Sequence, residues 1–118
     1  MIKNKEEFFQ PVELRRKTVN IPRLGELLIQ EMSQAEGARF EMFVQRKGVE
    51  EPQRKLKLIT LCVIDEDGNT LLNESDFARL SQLPATAINM LAYEIMLING
   101  FLNDGVSKED FAKEETAC

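Results

Sequence analysis

A chain of 118 residues, 43% hydrophobic and 30% charged, has the length of one domain and enough apolar content to bury one core, which excludes two independent cores and wholesale disorder. Its 15 Lys and Arg against 20 Asp and Glu leave a net charge of -5, which argues against general nucleic-acid binding. The chain has no histidine, which removes the commonest general base, the commonest metal ligand and every Ser-His or Cys-His nucleophile pair; composition points away from enzymes, and no catalytic, cofactor or metal residue is assigned.

The elements are expected in the following order. The first residues are charged and unpatterned apart from Phe8 and Phe9, which are expected to pin this end onto the core. Residues 1–12 and 104–118 are expected to be flexible ends of a single domain spanning 1–118. Thr18 to Ile21 alternates with β-branched residues, Pro22 to Gly25 is turn chemistry, and a second strand follows near Glu26 to Met32; the alternative is a helix from Leu24 onward. Arg15, Arg16 and Lys17 read as a solvated strand edge, where basic side chains discourage uncontrolled pairing. Ser33-Gln34-Ala35-Glu36 is a capping box, opening a helix that carries Phe40, Phe43 and Val44 on one face and stops at Gly48.

A polar loop over Glu50 to Gln53 precedes the apolar run Leu56–Ile64. Periodicity does not separate a buried strand from a helix there; Lys55, Lys57 and the leucine content favour helix. Asp65 to Asn69 is a sharp turn, and Thr70 to Leu72 a short extended piece. Asn73 or Ser75 then caps a short helix through Phe77, Leu80 and Leu83. Pro84 breaks it and stands where the next helix starts. That last helix, from about Ala85 to Leu102, is the most apolar element, with Asn103-Asp104-Gly105 as its end and one further turn capped by Ser107 to Asp110 around Phe111. The class is mainly α, a small helical domain with a short N-terminal β-hairpin, with α+β as the alternative.

Few patterns suggest chemistry. Asp65-x-Asp67-Gly68-x5-Glu74 matches the second half of a calcium-binding EF-hand loop, but its first position is Val63, which has no side-chain oxygen, so the stretch reads as an acidic turn. Cys62 lies in an apolar run and reads as a small buried hydrophobe, and Cys118 is the last residue; two such cysteines make no disulfide framework, and a reducing cytoplasm fits. No stretch has the pattern of a signal peptide, and none reaches the roughly 20 apolar residues that span a membrane. Residues 1–57 carry 12 basic and 9 acidic side chains, whereas residues 58–118 carry 3 and 11. This asymmetry is either chance plus an acidic tail, or a molecule with two charged ends suited to contacts between copies.

The strongest signal is the last helix. Ile88, Leu91, Ala92, Ile95 and Ile98 form one apolar stripe, while Met90, Tyr93, Leu97 and Phe101 form a second, rotated away from it. Two stripes mean a fully enclosed central helix or one that offers its second face to a partner. Met90 and Met96 would give that face adaptable surface. The candidate partner-binding or self-association residues are therefore Met90, Tyr93, Met96, Leu97 and Phe101.

The ordered set Thr18-Val19-Asn20-Ile21-Pro22, Met32-Ser33-Gln34-Ala35-Glu36, the Leu-rich run into Val63-Ile64-Asp65-Glu66-Asp67-Gly68-Asn69 and the apolar helix after Leu83 resembles the tail assembly chaperones of long-tailed bacteriophages (siphophages), over about residues 18 to 102. The resemblance implies a mainly helical, self-associating, non-enzymatic protein of the infected host cytoplasm, absent from the mature virion. It implies the tape measure protein as client and the tail tube protein as a second partner, reached through a longer form made by programmed frameshifting, of which this chain would be the short form. Nucleic acid and membrane are not expected as partners. The alternative is a structural tail completion or head–tail connector subunit; a regulator that binds a host protein is a third reading.

Overall fold

In the computed structural model, which describes residues 1–10 and 12–101, the hairpin forms where the alternation places it. Strand β1 (Arg16–Ile21) pairs antiparallel with β2 (Gly25–Gln30), from Arg16 opposite Gln30 to Ile21 opposite Gly25. Leu24 belongs to the turn, its N–H donating to the Ile21 carbonyl at 3.0 Å, so the helix considered from Leu24 onward does not form. Pro22 in the second position and Arg23 at φ 76° in the third give this turn a type II character, with an arginine where glycine is usual. Lys17, Val19, Ile21, Leu27 and Ile29 share one face of the hairpin, and Val19, Ile21 and Ile29 are buried there.

Helix α1 (Lys5–Phe8) is a single turn capped by Asn4, with no buried residue. Phe8 and Phe9 do not pin this end to the core as expected. They are 63% and 71% exposed and meet each other edge to face at 5.0 Å, and no residue of the turn that holds them is buried.

Helix α2 (Gln34–Val44) begins with the expected reciprocal cap: Ser33 Oγ accepts the Glu36 N–H and the Glu36 carboxylate accepts the Ser33 N–H. Phe43 is buried and packs edge to face on Phe77 at 5.8 Å, with Phe40 and Val44 half-buried beside it. The helix ends at Val44, before Gly48. The N–H groups of Arg46 and Val49 bond back three residues, to Phe43 and Arg46, so tighter turns replace the helix first.

The stretch Glu50–Gln53, expected as a polar loop, is instead the start of helix α3 (Glu51–Cys62). Pro52 sits in the first turn, where no N–H is needed, and the Gln53 side chain accepts the Glu50 N–H at 2.9 Å. The apolar run is therefore helix as far as Cys62. Val63 then turns extended (ψ 124°) and, with Ile64, forms strand β3, antiparallel to β2 with Ile29 opposite Val63. The sheet order is β1-β2-β3, which leaves β1 and its basic start at one edge, as expected for Arg15 to Lys17.

The acidic turn closes on itself. Asp65 Oδ1 accepts the N–H groups of Asp67 (2.8 Å) and Asn69 (3.0 Å), the Gly68 N–H donates to the Asp65 carbonyl, and Ile64 bridges to Thr70. Gly68 takes φ 86°, a left-handed backbone that calls for glycine; a Cβ there would meet only the movable end of the Arg16 side chain. Asn73 caps a 3₁₀ turn (Glu74–Asp76) that runs into α4 (Phe77–Leu80), shorter than the expected helix because Leu83 falls in the turn that follows.

Helix α5 (Ala85–Ile98) starts after Pro84 and ends sooner than expected. Gly100 adopts φ 76°, its N–H donates to the Leu97 carbonyl, and the Phe101 N–H donates to Met96 at 2.9 Å, the paired bonds of a Schellman stop. Asn99-Gly100, not Asn103 to Gly105, terminates the element. The expected stop at Asn103 to Gly105, the turn around Phe111 and Cys118 all lie outside the described residues. Gly100→Ala should destabilise the fold by about 1–2 kcal/mol, since open space surrounds the site and only the left-handed backbone penalises a side chain. Urea denaturation of the two proteins measures it.

One core holds these elements together. The inner face of the sheet packs against α3 and α5, with Ile29, Ile59, Cys62 and Ile95 fully buried at the junction, and α2 lies across α3. The protein is thus mainly α with an N-terminal hairpin, to which a short third strand is added.

Candidate interaction surface

The five residues singled out on the last helix do not form one surface. Met90 is half-buried and packs on the main core with Met96 and Ile98. Tyr93 is only 8% exposed, whereas Leu97 and Phe101 are 36% and 51% exposed. Phe101 is not on the helix; the Gly100 stop takes it off the stripe that helical spacing assigns to it. Leu97 and Phe101 nevertheless stay close in the chain at the C-terminal end of α5, where their side chains meet solvent.

Phe101 lines a cleft of about 520 Å³ with Met32, Phe40, Gly37 and Asn99, between the end of β2, the first turns of α2 and the end of α5. Met32 and Phe40 are half-buried and add apolar surface beside the exposed Phe101. By spacing alone, Met32 falls at the end of the second strand and Phe40 on one face of the following helix with Phe43 and Val44. Two stretches about sixty residues apart, around Met32 to Phe40 and around Asn99 to Phe101, meet here, a juxtaposition that no single period encodes.

Asn99 holds that junction. Its Nδ2 donates to the Ile95 carbonyl at 2.8 Å and lies 3.7 Å from Cys62 Sγ, while its Oδ1 accepts the Met32 N–H at 2.8 Å. One side chain thus ties the ends of α5, α3 and β2 together. Arg15 adds a second tie, from Nη2 to the Ile98 carbonyl at 2.9 Å. Cys62 is buried as expected, and burial pushes its thiol up to about 12, so it stays protonated and serves packing.

The charge asymmetry has an internal use. Lys17 pairs with Glu94 (3.5 Å), Arg46 with Glu74 (3.4 Å) and Lys57 with Glu74 (3.0 Å), each joining the basic first half of the chain to the acidic second half. Glu74, which the EF-hand alignment places as a bidentate ligand, thus faces two cations, and the Asp65 oxygen serves backbone amides. Among the described residues no group of three acidic or cysteine side chains converges as a metal site, and no helix is long and apolar enough to cross a membrane.

The hydrogen bond and charge of Lys57, with Arg46 beside them, hold the Glu74 carboxyl below the usual carboxylate range. Glu31 is lowered too, chiefly by the Arg15 backbone N–H at 2.6 Å. A carboxyl with a depressed folded-state pKa stabilises fully above its unfolded-state pKa and loses that contribution as pH falls through the folded one. Stability should therefore fall below about pH 4.5. Glu74→Gln should flatten that acid limb slightly, because the pair is half-exposed and screened. Denaturation midpoints measured from neutral pH to about pH 3 check it.

No protein-family model matches the chain, and no curated protein matches it in sequence. Among solved structures, it is similar to the tail assembly chaperone of bacteriophage HK97, with a TM-score of 0.53 and 17% identity over 80% of this chain and 90% of that one. At that identity the likeness is one of fold.

Proposed function

We propose that this protein is a phage tail assembly chaperone. In this reading it acts without catalysis in the cytoplasm of the infected host and leaves no copy in the mature virion. Several self-associated copies coat the tape measure protein and keep it soluble. A longer frameshifted form recruits tail tube subunits to the coated client. The observation that carries the reading is the fold shared with the HK97 tail assembly chaperone across most of both chains. The exposed Phe101, which lines the Met32–Phe40 cleft, and the exposed Leu97 on the last turn of α5 supply apolar surface suited to an extended helical client, which many modest contacts hold better than one deep pocket.

The test is co-expression with the tape measure protein of the same phage, scoring how much of it stays soluble and how many copies of this chain co-purify. Rescue with several copies bound is the expected result. A tape measure protein that stays insoluble and unbound, even when the frameshifted product is supplied, overturns the reading.

A further inference from the structure

Asn99 is followed by Gly100, and this is the one Asn-Gly pair in the chain. Such a pair is chemically fragile wherever its backbone is free. Glycine leaves its own nitrogen unshielded, and that nitrogen can attack the side-chain amide of the residue before it. The folded protein opposes the attack in three ways. Ring closure requires Asn99 Cβ and the Gly100 nitrogen to eclipse about the Cα–C bond, and ψ -2° at Asn99 holds them well apart. The Gly100 N–H donates to the Leu97 carbonyl at 3.1 Å, so its proton is held away from a base. Both ends of the Asn99 amide are engaged, Oδ1 by the Met32 N–H and Nδ2 by the Ile95 carbonyl and Cys62 Sγ.

We propose that Asn99 is a deamidation site kept shut by the fold, and that its modification is a one-way release of the end of α5. When the last turn of α5 opens, the Gly100 nitrogen gives up its proton and bonds to Asn99 Cγ. The Cγ–Nδ2 bond breaks, and the departing amine takes up a proton and leaves as ammonia. Water then opens the cyclic imide at either carbonyl, giving aspartate or isoaspartate, and nothing is oxidised or reduced. Neither product restores the full tie. A carboxylate has no N–H for the Ile95 carbonyl, and it sets a negative oxygen where Nδ2 stood 2.8 Å from that acceptor. Isoaspartate also adds a carbon to the main chain, which takes Gly100 and Phe101 out of their bonds to Leu97 and Met96. Phe101 then leaves the cleft wall that it shares with Met32 and Phe40. Loss of client binding on modification rests on the proposed function; the chemistry at Asn99 does not.

The test is timed incubation of the full chain in mildly alkaline buffer, folded and in urea, with peptide mass spectrometry following the exchange of amide for acid at each asparagine. In urea Asn99 should react faster than the other six asparagines. In the folded chain it should react at least about ten times more slowly than in urea, a factor set by how seldom the last turn of α5 opens. Arg15→Ala, which removes the tie to the Ile98 carbonyl, should narrow that gap by about threefold or more while leaving the rate in urea unchanged. Equal rates in the folded and unfolded chain overturn the proposal, as does a gap that Arg15→Ala leaves unchanged or an Asn99 no faster in urea than the other asparagines. Asn99→Asp in the full chain should lower the urea midpoint, and a midpoint equal to that of the wild type overturns the release. No client is present in these measurements, so their failure and the failure of the chaperone reading are separately visible.

Discussion

Ile95→Ala is expected to lower the free energy of unfolding by about 2–5 kcal/mol, the range for removing a buried branched side chain from a core that relaxes only partly. Ile95 is fully buried on the core side of α5, where that helix meets α3 and the inner face of the sheet. The void would open among Ile29 of β2 and Ile59 and Cys62 of α3, also fully buried, and two packed elements cannot both move inward to fill it. For a domain of this size the melting temperature should drop by about 10 °C or more. Leu97→Ala, two residues along the same helix but facing solvent, should stay within about 0.5 kcal/mol of wild type. Thermal and urea unfolding of the three proteins provide the measurement; similar losses at both positions would show that α5 is not seated as described.

Leu97→Asp combined with Phe101→Asp should have the opposite signature, a preserved fold with lost association. Burying each of these side chains against a partner is worth about 1.5–3 kcal/mol, so losing both contacts should weaken client binding and self-association by at least two orders of magnitude. The readouts are recovery of soluble tape measure protein and sedimentation of the isolated chain. Full recovery by a folded double variant would remove this end of α5 from the client surface. Met90→Asp is a poor substitute for this test. Met90 packs on the main core, so a carboxylate there would be desolvated and would compromise the fold itself. Helical spacing groups Met90 with Leu97, and tertiary packing separates them.

What could be read in advance was encoded locally. The Ser33–Glu36 cap, the Thr18–Ile21 alternation with its Pro22 turn, and the apolar stripe Ile88, Leu91, Ile95 each depend on a few neighbouring residues and one period. Their physics is complete within a turn or a strand. Other local signals were present but outweighed in the reading: Pro52 marks a helix start despite its polar neighbours, and Gly100 is a helix stop three residues ahead of the Asn103 to Gly105 stretch.

The rest required the assembled core. Leu56–Ile64 is apolar throughout, and only the available edge of β2 decides that the helix yields to a strand at Val63. Phe8 and Phe9 are as apolar as Phe43, yet Phe43 is buried, with Phe77 packed on it from 34 positions away, whereas Phe8 stays 63% exposed with only its neighbour Phe9 against it among the described aromatic contacts. The same holds for the candidate surface. Sequence determined that α5 carries more apolar side chains than one stripe needs. Tertiary structure decided which of them stay exposed, because burial depends on what lies opposite a side chain in space, and Met32 reaches Asn99 at the end of α5 from 67 positions away.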